Sequence, residues 1–128
     1  MTKNVLIVDD ENYIRLLLRR TLEDFEFAGV EIRMASDGQA GLDAARERRP
    51  DLMFLDLMMP TMDGHQVCLE LKGDPDYRDI PIVILTAKGQ LPTFPENAQP
   101  EHCLTKPFDP DQIVELAQAI LGIDLDLD

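Results

Sequence analysis

The sequence predicts an α/β fold in which helices cover both faces of a parallel β-sheet. Short apolar runs at residues 5–8, 52–55 and 82–85, with a weaker run at 103–105, each lead into a polar residue. Runs of this length are typical of strands that are buried on both faces of a parallel sheet. Segments with apolar residues at helical spacing lie between the runs. Strands that alternate with helices indicate a doubly wound sheet.

The first strand is predicted at Asn4–Val8 and the first helix at residues 11–25. The second strand follows a different pattern, because Val30, Ile32 and Met34 alternate with charged residues. A period of two indicates one more exposed face, so this strand is predicted at an edge of the sheet. The first helix is indicated by a face of residues at helical spacing, namely Ile14, Leu17, Leu18, Thr21, Leu22 and Phe25.

Capping residues predict the boundaries of the other helices. Asp37 can cap a second helix, which Pro50 ends. Asp63 can cap a short third helix that ends at Gly73. Asp109, followed by a proline at the first helical position, begins the final helix. The remaining strands are predicted at residues 51–55, 80–85 and 102–105.

The connection between the last two strands departs from this pattern. A crossover helix is expected there, but Pro92, Pro95 and Pro100 fall between Thr86 and Lys106. A proline inside a helix costs about 3 kcal/mol. The sequence therefore predicts that the fourth helix is short or irregular.

The chain has 128 residues and a net charge of −13. Residues 1–122 are predicted to form one domain, followed by an acidic, frayed tail at 123–128. The negative charge argues against nucleic acid and anionic membranes as partners. No apolar run approaches the roughly 20 residues of a membrane span, so a cytoplasmic location is expected. Cys68 and Cys103 are expected to be reduced thiols packed as small apolar groups.

The polar residues that follow the apolar runs form the candidate site. Ligands bind where the carboxyl ends of neighbouring parallel strands meet, and Asp9, Asp10 and Asp56 would converge there. Clustered carboxylates raise one another's pKa unless a cation lies among them. Mg²⁺ prefers such oxygen ligands. We predict that Asp10 and Asp56 bind it directly, that Asp9 acts through water, and that the carbonyl of Met58 completes the set.

The same residues could accept a phosphoryl group. Asp56 stands alone at the end of its strand, and a carboxylate can act as a nucleophile to give an aspartyl phosphate. Phosphoryl transfer depends mainly on positioning and on neutralising the phosphoryl oxygens. The Lys106 ammonium would supply positive charge, and the Thr86 hydroxyl could donate a hydrogen bond.

Four motifs make the chain similar to the receiver domains of two-component response regulators, the CheY-like group. They are Val-Asp-Asp-Glu at 8–11, Asp-Leu-Met-Met-Pro-Thr-Met-Asp-Gly at 56–64, Leu-Thr-Ala at 85–87 and Thr-Lys-Pro-Phe at 105–108. The resemblance covers residues 3–122. It implies a flavodoxin-like, five-stranded sheet of order 2-1-3-4-5, with the alternating second strand at an edge.

The resemblance also implies a function. Asp56 would accept a phosphoryl group from a phosphohistidine on a sensor histidine kinase or a histidine phosphotransfer protein. Asp9 and Asp10 would hold Mg²⁺, Lys106 would contact the phosphoryl group, and Thr86 would report its arrival. The domain would signal to an unknown downstream protein. It would not be a conventional enzyme, because it would catalyse only its own phosphorylation and dephosphorylation.

The chain departs from this family three residues before the lysine, where Tyr or Phe is usual and Cys103 is found here. In the family this position and Thr86 form the conformational switch, and the surrounding face serves output and dimer formation. We therefore expect a reshaped face, with homodimer formation left open. We also expect a switch that orders residues 88–99. Met58 and Lys88 occupy positions that tune hydrolysis of the acyl phosphate in this family.

Three other interpretations are open from the sequence. A degenerate receiver would act as a binding scaffold that does not depend on phosphorylation, as the missing aromatic residue suggests. A flavin-binding protein of related topology is disfavoured, because Asp9, Asp10 and Glu11 would repel the flavin phosphate. A haloacid-dehalogenase-like phosphatase is also disfavoured, because it requires a second aspartate where this chain has Met58.

Overall fold

The architecture is a parallel sheet between two layers of helices, seen in a computed structural model that describes residues 2–87 and 93–125. In these residues the strands form one sheet of order β2-β1-β3-β4-β5, and every neighbouring pair is parallel. This confirms the predicted fold class and the edge position of β2. The strands are β1 (Asn4–Val8), β2 (Glu31–Ala35), β3 (Leu52–Asp56), β4 (Ile82–Ala87) and β5 (His102–Lys106).

Helices pack on both faces because successive side chains of the central strands point to opposite sides of the sheet. Leu6 and Met53 lie in the core with α3 and α4, whereas Ile7 and Phe54 lie in the core with α1, α2 and α5. All four side chains are fully buried. The helices are α1 (Asn12–Thr21), α2 (Glu23–Phe27), α3 (Gly38–Glu47), α4 (Gly64–Lys72) and α5 (Pro110–Leu121).

The predicted caps begin three of these helices. The Asp37 carboxylate accepts a hydrogen bond from the backbone N–H of Ala40 at 2.7 Å. Asp63 and Gln66 form a reciprocal capping box at the start of α4. Asp109 caps α5, and Pro110 occupies its first turn. These short-range hydrogen bonds satisfy backbone N–H groups that have no partner within the helix.

The first helical region is interrupted at Leu22, so the prediction of one helix over residues 11–25 is wrong. Leu22 has a φ of −96° and a ψ of 11°, and it separates α1 from α2. The Thr21 hydroxyl donates a hydrogen bond to the carbonyl of Leu17 at 2.8 Å. Bonding of this kind bends helices, which gives a physical reason for the break. Leu22 and Phe25 nevertheless stay buried, so the apolar face continues through both helices.

The connection before β5 contains a 3-10 helix at Glu96–Ala98 within residues 93–101. This agrees with the predicted short or irregular fourth helix in the described part of the connection. Phe94 and Ala98 are buried, and Phe94 packs into the core beside α4. Residues 88–92 lie outside the described residues. The predicted role of Lys88, and the first part of the loop predicted to become ordered, therefore fall outside them too.

A buried lysine ties this connection to α4. The Lys72 ammonium donates to both carboxylate oxygens of Glu101, at 2.9 and 2.8 Å. It also donates to the carbonyls of Arg78 and Ile80, at 3.0 and 2.8 Å. Lys72 is only 6% exposed. Glu101 in turn accepts a hydrogen bond from the backbone N–H of Ile82 at 2.7 Å. The Glu101 side chain therefore connects the residue before β5 to both α4 and β4.

The two cysteines have different surroundings, and both are free thiols. Cys68 is buried in α4 as predicted, and burial raises its pKa to about 12. Cys103 is exposed, which contradicts the expectation that it packs as an apolar group. It lies on β5 beside Ile84, where the described part of the preceding connection has no α-helix to cover it.

The chain beyond α5 packs back on the domain as far as the structure describes it. Gly122 ends α5 in the left-handed conformation, with a φ of 69°. The backbone N–H of Leu125 then donates to the Gln118 side chain at 2.9 Å, and Ile123 and Leu125 contact the core. The predicted frayed tail is therefore wrong for residues 123–125. The division of the chain at residue 122 stays a prediction.

Within residues 2–87 and 93–125, no helix is both long and apolar enough to cross a membrane.

Candidate functional site

Four strands bring the predicted site residues to one edge of the sheet. Asp9 directly follows β1, Asp56 ends β3, Thr86 lies near the end of β4, and Lys106 ends β5. The parallel register pairs Asp56 with Leu85, the residue before Thr86, and pairs Lys106 with Ala87 at the end of β4. One carboxylate oxygen each from Asp9, Asp10 and Asp56 lies within 4.8 Å of the others. The structure thus brings together the three carboxylates and the Lys106 ammonium, and the approach of the Thr86 hydroxyl stays a prediction.

The Lys106 ammonium lies between two of the carboxylates. It donates a hydrogen bond to Asp9 Oδ2 at 3.0 Å and another to Asp56 Oδ1 at 3.2 Å. Burial alone would lower the pKa of Lys106, but its bonds and attraction to these two carboxylates outweigh burial and raise the pKa. Lys106 is therefore a protonated donor at neutral pH. The peptide bond between Lys106 and Pro107 is cis.

Asp9 is held by several hydrogen bonds. Its backbone N–H donates to the carbonyl of Ala35 at 3.2 Å, and its Oδ1 accepts the N–H of Glu11 at 2.9 Å. Its backbone carbonyl accepts a hydrogen bond from Arg15 at 2.7 Å. Both carboxylate oxygens already have a protein donor, since Oδ2 binds Lys106. These contacts favour a supporting role for Asp9, in line with the predicted contact through water, which stays a prediction.

Asp56 is a carboxyl whose ionised form is disfavoured by its surroundings. Burial, and next the charge of Asp9, raise its pKa to about 6, although Lys106 opposes the shift. A hydrogen-bonding interaction with Asp10 also raises it. The side chain is almost completely buried. A cation bound beside Asp56 would remove much of this penalty, because opposite charge favours the ionised carboxylate.

The acidic cluster fits a magnesium ion by the chemistry of its donors. Asp9, Asp10 and Asp56 together offer carboxylate oxygens, and Lys106 alone cannot balance their charge. Mg²⁺ is a hard cation that binds one or two carboxylates together with water and phosphate oxygens. Asp10 is exposed and Asp56 is buried, so the cluster has one side open to solvent. The cluster could thus hold an ion that is also accessible to an incoming phosphate.

The loop after Asp56 is packed tightly against the site. The N–H of Leu57 donates to the carbonyl of Leu85, and the N–H of Gly64 donates to the carbonyl of Leu57, both at 2.9 Å. A Cβ on Gly64 would lie 2.2 Å from the carbonyl oxygen of Asp56, so only glycine allows this approach. Thr61 takes a positive φ of 68° in the same loop. The start of α4 is therefore fixed against the candidate nucleophile.

Not every predicted site residue belongs to this cluster. Met58 is 59% exposed in the loop after Asp56, and the predicted bond from its carbonyl to the metal stays a prediction. Thr86 is buried in β4 near the cluster. Cys103 lies three residues before Lys106 and is exposed. The sequence analysis missed Arg15, whose hydrogen bond goes to the backbone carbonyl of Asp9 and so has no signal in the residue types.

The fold and the site together define a class of protein: flavodoxin-like α/β domains with a carboxylate and lysine cluster at the carboxyl edge of the sheet. Within that class, the chain belongs to the response regulator receiver domain family, whose model matches residues 5–118. This confirms the family resemblance found in the sequence.

Relatives of known identity agree with this assignment. Response regulator MprA of Mycobacterium tuberculosis is 37% identical over 123 residues, which are 94% of this chain and 51% of MprA. The DNA-binding dual master transcriptional regulator RpaA of Synechocystis is 39% identical over 121 residues, which are 91% of this chain and 48% of RpaA. The chain therefore spans about half the length of these curated relatives.

A solved structure supports the fold independently. The chemotaxis protein CheY4 of Vibrio cholerae superposes with a TM-score of 0.78 and 29% identity, covering 94% of this chain and 99% of CheY4. The five-stranded parallel order and the surrounding helices are thus those of a CheY-like receiver.

The prediction that excluded nucleic acid as a partner is wrong. It depended on the net charge of −13, yet RpaA, which matches most of this chain, is a DNA-binding regulator. The physical reason is that the charge describes only these 128 residues, which span about half of such a relative. The charge of one receiver is not evidence against action on DNA by a regulator that contains it.

Proposed function

We propose that this receiver accepts a phosphoryl group on Asp56 from a phosphohistidine of a sensor histidine kinase or a histidine phosphotransfer protein. The observation that carries the proposal is the position of Lys106, whose ammonium lies 3.2 Å from Asp56 Oδ1 and 3.0 Å from Asp9 Oδ2. A carboxylate nucleophile, an ammonium and an acidic cation site are the groups that phosphoryl transfer requires. In this proposal the domain catalyses only its own phosphorylation and dephosphorylation.

The chemistry follows from these groups. An oxygen of Asp56 attacks phosphorus, and an acyl phosphate bond forms. The bond between phosphorus and the donor imidazole nitrogen breaks, and its electron pair stays on that nitrogen, which can take a proton from solvent. Lys106 is then placed to bind an oxygen of the transferred group. The raised pKa of Lys106 keeps this donor charged throughout.

Asp10 and Asp56 would hold Mg²⁺, with Asp9 in support and the carbonyl of Met58 as a further ligand. When bound, this ion supplies positive charge that neutralises the phosphoryl oxygens. Asp9 keeps Lys106 between the carboxylates through its Oδ2. Gly64 lets the start of α4 pack against Asp56 and so holds the nucleophile at a fixed position.

Signalling would follow from a change in conformation after transfer. Thr86 is buried near Asp56, which supports its proposed role in sensing the phosphoryl group. Cys103 carries no ring that could turn inward, and it is exposed. Of the predicted switch pair, Thr86 is therefore the better supported member. The connection before β5 contains one buried aromatic side chain among its described residues, Phe94, which stacks on His65 with ring centroids 4.8 Å apart.

The partners and the extent of the domain complete the proposal. The names of MprA and RpaA favour a regulatory output, and RpaA favours control of transcription. We propose a receiver over residues 1–122 with an acidic tail at 123–128, although the packing of Leu125 extends the folded unit slightly. A donor kinase with a cytoplasmic phosphohistidine would place this domain in the cytoplasm.

Incubation with acetyl phosphate and Mg²⁺ tests the acceptor directly. The wild-type protein is expected to gain one phosphoryl group by intact mass, and Asp56→Asn is expected to gain none. Asp63→Asn is the matched control, because it makes the same substitution seven residues away and asparagine also caps helices well. This control is expected to be phosphorylated like the wild-type protein.

The same experiment decides against the scaffold alternative. A degenerate receiver would gain no phosphoryl group with or without Mg²⁺. A product that persists in Asp56→Asn would place the acceptor elsewhere and refute the assignment. Pull-down experiments with the unmodified and beryllofluoride-treated protein would then identify partners that depend on the modification.

A further inference from the structure

Arg15 makes a contact with the backbone of Asp9 that the proposed phosphoryl transfer does not use. Its Nη1 donates a hydrogen bond to the backbone carbonyl of Asp9 at 2.7 Å, and its Nη2 donates to the Asn12 side chain at 3.1 Å. The side chain is partly buried. The guanidinium thus lies against the turn between β1 and α1, and Asn12 limits its rotation.

The carbonyl that Arg15 holds belongs to the peptide group joining Asp9 to Asp10. The last sheet hydrogen bond in this region is made by the N–H of Asp9 to Ala35, on the other side of the Asp9 Cα. Because a peptide group is planar, the direction of the Asp9 carbonyl sets the direction in which the chain leaves for Asp10. Asp10 is exposed, so packing does not hold its side chain.

We propose that Arg15 is a positioning residue for the cation site. By fixing the Asp9–Asp10 peptide, it aims the Asp10 carboxylate at the oxygens of Asp9 and Asp56. This inference rests on the proposed function only in so far as the ion is Mg²⁺. Residues that orient metal ligands typically change metal affinity by 10- to 100-fold when they are replaced.

A purely structural role is the competing explanation, because Arg15 also ties the start of α1 to β1. In that case its loss would lower the stability of the fold and leave the affinity of the folded protein for Mg²⁺ unchanged. The two roles therefore differ in a measurable quantity. The test must report binding by the folded protein and not activity alone.

Isothermal titration calorimetry of the metal-free protein with MgCl₂ provides that measurement. Arg15→Met keeps an unbranched apolar chain but removes every donor, and it is expected to weaken Mg²⁺ binding by about tenfold. Arg15→Lys keeps the charge and a donor and is expected to recover part of the affinity. Arg20→Met is the matched control, because it makes the same substitution in the last turn of the same helix. The control is expected to bind like the wild-type protein.

A second readout separates positioning from direct participation. In Arg15→Met, the Mg²⁺ concentration that gives half the maximal rate of phosphorylation by acetyl phosphate is expected to rise by the same factor. The rate at saturating Mg²⁺ is expected to stay close to that of the wild-type protein. If the Arg15→Met protein folds poorly, the Arg15→Lys protein decides the question with a smaller shift of the same sign.

Two results would overturn the inference. One is a dissociation constant for Mg²⁺ in Arg15→Met that equals those of the wild-type protein and Arg20→Met. The other is a rate that stays low at saturating Mg²⁺, since Arg15 would then act on the reacting groups. Failure of the proposed function looks different: the wild-type protein would bind Mg²⁺ without becoming phosphorylated, and calorimetry would still decide the role of Arg15.

Discussion

Asp56→Asn is expected to stabilise the metal-free protein while it abolishes phosphorylation. Asp56 is 4% exposed and shares its cluster with Asp9 and Asp10, so its negative charge is held in an unfavourable place. Burial, followed by the charge of Asp9, raises its pKa from 3.8 to about 6 despite the attraction of Lys106. Asparagine keeps the size of the side chain and carries no charge. The substitution therefore removes a buried charge that lowers the free energy of unfolding at neutral pH.

The size and sign of the effect follow from this pKa. The pKa of Asp56 is higher in the folded protein than in the unfolded chain, so between about pH 4 and pH 6 the native state binds more protons. Stability then falls as the pH rises through this window. One pKa unit corresponds to about 1.4 kcal/mol, so the shift amounts to about 3 kcal/mol once Asp56 is fully ionised. Asp56→Asn is expected to gain up to about this much at pH 7.5 and almost nothing at pH 4.

Urea unfolding in the presence of EDTA, repeated between pH 4 and pH 8, measures this difference. Asp63→Asn serves as the control, because Asp63 lies at the surface as the cap of α4 and its replacement should give no such pH-dependent gain. Saturating Mg²⁺ should reduce the difference in unfolding free energy between Asp56→Asn and the wild-type protein, because the ion stabilises the ionised Asp56 of the wild-type protein. An Asp56→Asn protein that is no more stable than wild type at pH 7.5 in EDTA would refute this reasoning.

Two further substitutions probe the frame around the site. Lys72→Met is expected to destabilise the protein by about 2–4 kcal/mol in urea unfolding, because it removes the buried ammonium that donates to Glu101 and to the carbonyls of Arg78 and Ile80. A loss below about 0.5 kcal/mol, the usual range for surface substitutions, would contradict this. Gly64→Ala is expected to lower stability by more than about 1 kcal/mol and to slow phosphorylation by acetyl phosphate, because its Cβ would lie 2.2 Å from the Asp56 carbonyl. Unchanged stability and rate would show that the start of α4 can move away without consequence for Asp56.

Much of the fold could be predicted because its signals are local. β1 has the predicted bounds, and Asp37 and Asp63 cap the helices that they precede. The convergence of Asp56 and Lys106 was also predictable. Parallel strands share one carboxyl edge, so residues far apart in the sequence meet there once the strand order is known.

The features that were missed depend on backbone contacts and on the covering of a strand, which the pattern of residue types does not encode. The break at Leu22 is invisible in the apolar pattern, which continues through α1 and α2, and it accompanies a hydrogen bond from Thr21 to the backbone. The exposure of Cys103 depends on what covers β5 and not on its own chemistry. Arg15 was missed because a bond to a backbone carbonyl leaves no trace in the type of the partner residue.

The bond between Lys72 and Glu101 has a consequence for how this protein tolerates sequence change. It fastens the chain immediately before β5 to α4, one strand's length from Lys106. Insertions and substitutions in the connection just before Glu101 should therefore have little effect on the position of Lys106. This connection can therefore vary in sequence while Lys106 keeps its position beside Asp56.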